Sequence, residues 1–413
     1  MRQGAFYRPD SLVVFVVAVG LTLVCLRGAD RQRRVVAAAL GACGAWWLVA
    51  AVIHGRTASF LPLGASMVGF LASFLVVQRL DAERREGAGE VLATIGAVAA
   101  AVGLAASAMR WYPLSMPSQN LWRLATTLTY ADAAGLLLGV SLLIGVGLDI
   151  RRPLVRLDVS LCAAGLVATQ SRGAVAALLI GAALVPWGAI RSARWPLVGG
   201  LAAGLLVVGT SAGNTRQPAV GVAVGALIVA GAIARPSAAR LVRPGLTRVL
   251  LVAGATLALA AVVVIALHTP VERRVELAST SDRVAEWHAA FDQWQSSIWT
   301  GVGPDVVLHV HAKEGSYAYF AHDEYLQIAA GAGLVGELLL LAAAASIIAV
   351  VRRRDVLSSC AAGALVAFAV AAAFDFDWHL AALGLIGGWA AGLAAPPVDA
   401  DVEPRGRALD AAP

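Results

Sequence analysis

Apolar runs of roughly the length that crosses a bilayer, about 20 residues each, recur from Ser11 to Ala395. They fall at 11–26, 35–53, 58–78, 91–109, 126–148, 157–170, 173–190, 195–212, 218–234, 249–267, 324–351, 356–374 and 379–395. Only 14% of the residues are charged, against about 25% in a soluble domain. Lipid leaves no water to satisfy open backbone, so such segments must be helices. The expected fold is therefore all-α: a polytopic transmembrane helical bundle of about 12–13 spans. Residues 1–395 read as one membrane domain and 396–413 as a short disordered cytoplasmic tail rich in Pro, Asp, Glu and Arg.

The net charge of +6 does not describe a nucleic-acid surface, because the basic residues alternate from one connection to the next. Arg27, Arg31, Arg33 and Arg34 lie on one side, with Arg79, Arg84 and Arg85, Arg151, Arg152 and Arg156, and Arg352, Arg353 and Arg354. Short arginine-rich loops stay cytoplasmic, which puts the one long polar excursion, 269–322, on the extracytoplasmic face. Ser11–Leu26 lacks a small-residue cleavage site and reads as a first span or anchor. Cys25, Cys43, Cys162 and Cys360 all sit in or beside apolar segments with no metal-ligand spacing, so packed thiols are expected. No metal and no cofactor is expected.

Within the excursion, Ser281 or Asp282 can cap an amphipathic helix to about Gln295. Its spacing sets Arg283, Trp287, Phe291 and Trp294 along one face. Such a helix lies at a membrane surface, with Arg283 in its first turn. Gly301-Val302-Gly303-Pro304 then breaks it, and His322-Asp323-Glu324-Tyr325 opens the next span. His309 and His311 can be paired as metal ligands only weakly, with no third ligand in view. Asp375 and Asp377 read first as a solvated outer turn and second as site-lining carboxylates.

Arg172, in Thr169-Gln170-Ser171-Arg172-Gly173, interrupts two apolar runs with almost no loop. A charge in that position is expensive unless it is paired or functional. Taken alone, Arg283 reads as an exposed helix charge and His322 as a polar cap. Together, two arginines on one membrane face suit a diphosphate, since guanidinium binds phosphate oxygens bidentately and stays charged. A histidine beside them suits removal of a proton from a hydroxyl. The sequence offers no Asp-x-Asp pair expected beside these residues, so the arginines would carry the charge that a metal carries elsewhere.

These elements resemble a known family. Thr169-x-Ser171-Arg172-Gly173 opens a span, and Arg283-x-x-x-Trp287 is followed by Gly301-x-Gly303-Pro304. His322-x-x-Tyr325-Leu326-Gln327 with Gly333-x-x-Gly336 comes next, and Arg123-x-x-Thr126…Tyr130-Ala131-Asp132 lies upstream. Their order over residues 120–395 is similar to that of the O-antigen ligase and Wzy-type polymerase membrane proteins. The resemblance implies a metal-independent glycosyltransferase of the bacterial cytoplasmic membrane. It would take a glycan from undecaprenyl diphosphate on the outer face and pass it to a lipid, glycan or protein acceptor. Carried over by motif, Arg172 and Arg283 would hold the diphosphate and His322 would activate the acceptor hydroxyl. Arg123, Asp132, Trp287, Gly301, Gly303, Asp323 and Tyr325 would help bind substrate. The chain departs from the family in carrying Asp323 and Asp132 where asparagines are usual, and Ser297-Ile298-Trp299 where a proline precedes the Gly-x-Gly turn. A transporter or flippase of polyprenyl-linked or other amphipathic substrates is the alternative, and a non-catalytic scaffold a third reading.

Overall fold

The computed structural model describes residues 8–118, 120–234, 281–304, 308–309, 317–318 and 320–396. The expected span 249–267, the residues 269–280 of the excursion, His311 and the tail from 397 lie outside the described residues, as does the side chain of His309.

The expected all-α polytopic bundle is what forms. Its helices are α1 (Arg8–Leu26), α2 (Arg31–Ile53), α3 (Leu61–Gln78), α4 (Ala82–Met109), α5 (Ala131–Gly147), α6 (Pro153–Thr169) and α7 (Arg172–Ala182). They continue with α8 (Trp187–Ser192), α9 (Arg194–Gly209), α10 (Pro218–Ile233), α11 (Ser281–Ser296), α12 (Glu324–Val350), α13 (Val356–Ala371) and α14 (Ala381–Ala394). Five described helices are long and apolar enough to cross a membrane: Pro9–Leu26, Arg31–Ile53, Thr57–Gln78, Ala82–Met109 and Glu324–Val350. Among the described residues, shorter apolar helices of 10–17 residues, together with α6, stand at the other expected positions. The run expected at 173–190 is not one helix, because α7 ends at Ala182 and Pro186 precedes a separate short α8.

Local sequence explains the helix starts. Asp30, Asp81, Ser171, Asp323 and Asp355 each cap the helix that follows, accepting from a backbone N–H three residues on. Gln170 turns between α6 and α7 in a left-handed conformation, so the two helices are almost contiguous. Glycine then permits tight packing. A Cβ on Gly181 would stand 2.3 Å from the Gly363 carbonyl oxygen, and one on Gly388 would stand 2.0 Å from that of Phe70.

The arginine-rich connections gather at one end of the bundle. Buried Arg33 donates to Gln78 and to the Pro396 carbonyl, and Arg85 donates to the carbonyls of Gly392, Leu393 and Ala395. Arg353 reaches the Leu184 carbonyl there. The opposite end carries α11 and an antiparallel hairpin, β1 (Ser115–Ser118) and β2 (Leu121–Leu124), which sequence periodicity did not disclose. A second short pair, β3 (Leu308–His309) and β4 (Tyr317–Ala318), follows α11.

One long helix is broken. Gly333, inside α12, has φ 68° and ψ −169°. Such a break in a membrane helix leaves backbone groups that need partners. The Gly301-Val302-Gly303 turn supplies them: Val302 N–H donates to the Ala330 carbonyl at 2.8 Å and Gly303 N–H to that of Gly331 at 3.0 Å. Leu334 N–H donates to the Ile298 carbonyl at 2.7 Å, and the Trp46 indole donates to that of Ala332 at 2.8 Å. Gly301 has φ 65°, and a Cβ there would stand 2.4 Å from the Gly331 carbonyl carbon. Gly301→Ala is therefore expected to destabilise by at least about 2 kcal/mol. Gly188→Ala, in α8 with nothing within 4 Å of its Cβ, should be neutral or slightly stabilising. Thermal midpoints of the two variants in detergent check this; equal midpoints would contradict it.

Candidate active site

At the hairpin end lies a cavity of about 540 Å³, walled among others by Arg123, Tyr130, Asp132, Arg172, Arg283, His322, Asp375 and Asp377. They reach it from several elements, Asp375 and Asp377 from one turn. Arg172 is exposed at the first turn of α7, set there by the Ser171 cap, and forms no salt bridge among the described residues. Gly173 beside it lets the Phe374 turn approach, because a Cβ would stand 2.9 Å from Phe374 Cβ. Arg283, in the first turn of α11, donates to the Phe374 carbonyl at 2.5 Å. From β2, Arg123 clamps the hairpin to the bundle. Its Nε donates to the Thr169 carbonyl at 2.9 Å, and its guanidinium pairs with Asp132 of α5 at 2.8 Å.

His322 stands just before the Asp323 cap, with φ 48°. A left-handed histidine is a strained position that persists only where the surroundings hold it. Here Nδ1 lies 3.0 Å from Asp375 Oδ1, and the ring meets Phe376 edge-on. Asp375 is 3% exposed; its other oxygen accepts from the Tyr130 hydroxyl at 2.6 Å, and Oδ1 also accepts from Phe376 N–H at 2.8 Å. Nδ1–H donating to that carboxylate leaves Nε2 as the ring's basic nitrogen. Burial pulls the His322 pKa down. The hydrogen bond and charge of Asp375, helped by Glu286, outweigh both burial and Arg283 and leave it above the ordinary value.

Behind this pair sits a second one. Glu324, fully buried, accepts from the backbone N–H groups of Trp378 at 2.6 Å and His379 at 3.2 Å, and its carboxylate lies 3.0 Å from His379 Nδ1. Asp375, Asp377 and His379 of the turn Phe374–His379 are thus buried, while Phe374 stays exposed. The solvated turn read from the sequence is corrected here: Asp375 and Asp377 are buried, the turn being held inward by the Tyr130 and His322 bonds to Asp375 and the Glu324 bonds to the backbone at 378 and 379. The expectation that no Asp-x-Asp pair lies beside the arginines is corrected with it, since Asp375-Phe376-Asp377 lines the same cavity. Both oxygens of Asp375 are nonetheless engaged by protein donors.

Of the residues picked from sequence, Arg123, Asp132, Arg172, Arg283 and His322 share the cavity wall. The others do not line it. Trp287 packs on Ala290, Ala321, Ala330 and Leu326. Gly301 and Gly303 dock on the α12 break, and Asp323 caps α12. Tyr325 donates to the Ala369 carbonyl at 2.8 Å and packs against Trp378. Asp375, Asp377 and Tyr130 were not selected; the run Phe-Asp-Phe-Asp-Trp-His in an otherwise apolar stretch was the available signal.

A group whose pKa is raised loses its neutral, basic form as pH falls through that higher value. Asp375→Asn removes the largest raising contribution, so the His322 titration should move to lower pH. Nitrogen-15 NMR of labelled histidine checks this, and an unmoved midpoint would contradict the pairing.

Residues 201–341, about a third of the chain, match the family described as O-antigen ligase. No curated protein matches the chain. The matched stretch holds Arg283 and His322 but stops short of Arg172 on one side and Asp375 on the other. Residues 201–341 are thus similar to the O-antigen ligase family, in agreement with the motif resemblance, on a chain with five described helices long and apolar enough to cross a membrane.

Proposed function

We propose that this cavity transfers a glycan from undecaprenyl diphosphate to an acceptor hydroxyl on the outer face of the cytoplasmic membrane. What carries the reading is the meeting of Arg172, Arg283 and a carboxylate-paired His322 on one cavity wall. Asp132 and Asp375 are already engaged by Arg123 and His322, so the charge of Arg172 remains for an anion. The guanidinium groups hold the diphosphate oxygens and stabilise the negative charge that grows as the sugar leaves. The neutral His322 takes the acceptor proton on Nε2, the acceptor oxygen bonds to the anomeric carbon, and the bond to diphosphate breaks with its electron pair on the leaving group. Asp375 then faces an imidazolium, which it stabilises, and holds the ring in the tautomer the step needs.

The acceptor is a lipid, glycan or protein hydroxyl. Deleting the gene distinguishes the branches: full-length lipid-linked polymer accumulates for a ligase, whereas single repeat units reach the acceptor for a polymerase.

Arg172→Ala, Arg283→Ala and His322→Ala should each lower glycan transfer by on the order of a hundredfold or more, with membrane insertion intact. Retained transfer in any one removes that residue from its assigned role. The reaction rate should fall with acidification through a pKa above that of ordinary histidine, and Asp375→Asn should move that limb to lower pH while also lowering the rate.

A further inference from the structure

The reaction just described gives no task to Asp377. The residue lines the cavity, yet it is only 2% exposed. Oδ1 is buried and has no hydrogen-bond partner among the described residues. Its neighbour Asp375 is saturated by three protein donors, so the two aspartates of one turn are treated in opposite ways. A buried polar atom left without a partner is destabilising by about 1–3 kcal/mol. Such an atom, in a residue that lines a binding cavity, is placed for a group that arrives with the ligand.

We infer that Asp377 binds a sugar hydroxyl of the glycan substrate. This deepens the diphosphate reading and rests on it. The surroundings decide which chemistry suits the group. Burial, Asp375, Asp132 and Glu324 together push the Asp377 carboxyl well above the usual carboxylate range, against a smaller opposing pull from Arg283. That shift favours the neutral carboxyl, which has both an O–H to donate and a carbonyl oxygen to accept. A sugar hydroxyl is likewise both donor and acceptor, so the two can pair without placing a new charge beside the diphosphate. Phosphate oxygens can only accept, and the arginines already serve them. The hydroxyl belongs to the donor glycan or to a sugar on the acceptor, and the measurements below separate the two.

The test uses full-length protein in detergent, with His322→Ala in the binding arm so that bound donor is not consumed. Two probes are compared: undecaprenyl diphosphate without a sugar, and the lipid-linked glycan extracted from host membranes. Asp377→Leu is expected to weaken the lipid-linked glycan by about tenfold or more and leave undecaprenyl diphosphate unchanged. Asp377→Asn, which keeps one donor and one acceptor, should stay within about threefold of the parent for both probes. If the hydroxyl belongs to the acceptor, donor binding stays the same, and in the His322 protein Asp377→Leu raises the acceptor KM by a similar factor, with Asn again restoring it. Equal loss for both probes, failure of Asn to restore, or no change in either donor affinity or acceptor KM overturns the assignment. A parent protein that binds neither probe overturns the diphosphate reading and takes this assignment with it.

Discussion

Four separate parts of the chain are tied to the turn Phe374–His379, whose aspartates and histidine are buried, and the site exists because they are. Arg283 brings α11 to it through the Phe374 carbonyl, while Gly173 brings the start of α7 against the same residue. His322 and Tyr130 share the two oxygens of Asp375. Glu324, in the first turn of α12, holds the backbone of Trp378 and His379 and donates its own N–H to the Ala372 carbonyl at 2.7 Å. A buried carboxylate is tolerable only when its oxygens are satisfied, so each of these contacts is enforced from both sides. The aromatic rings complete the enclosure: Phe376 stacks between Tyr130 and Phe320, with centroids 5.2 and 4.2 Å away.

The break in α12 has a related logic. Membrane helices are rigid rods, and a rod cannot curve its first turns around a site. Opening the helix at Gly333 frees backbone groups, and the Gly301–Gly303 turn absorbs them. Arg56 steadies that turn by donating to the Pro304 carbonyl at 3.1 Å. The glycine motif therefore supports the segment on which His322 stands, from behind, without lining the cavity.

This division explains what was legible in the sequence. Periodicity and length disclosed the helices, because lipid leaves a backbone no other choice, and the Ser281–Ser296 helix could be read from its cap and aromatic spacing. Arg172 was visible because charge is costly in an apolar chain, whereas Arg283 and His322 stood out only together with it and through the motif resemblance. Asp375 was not, since a short turn between two spans is usually wet, and its burial depends on aromatic side chains arriving from residues 130 and 320. Gly301, Gly303, Asp323 and Tyr325 recur in the motif, yet their places are set by backbone geometry and packing. A motif records that a residue matters and does not separate holding a site from lining it.

The central claim is that Arg172 and Arg283 share one diphosphate within reach of His322. Its most direct test is an experimental structure of the protein with undecaprenyl diphosphate bound. Both phosphates are expected in the cavity bounded by Arg172, Arg283 and His322, with the prenyl chain leaving into the membrane. A diphosphate bound elsewhere on the bundle, touching neither arginine, would contradict the account.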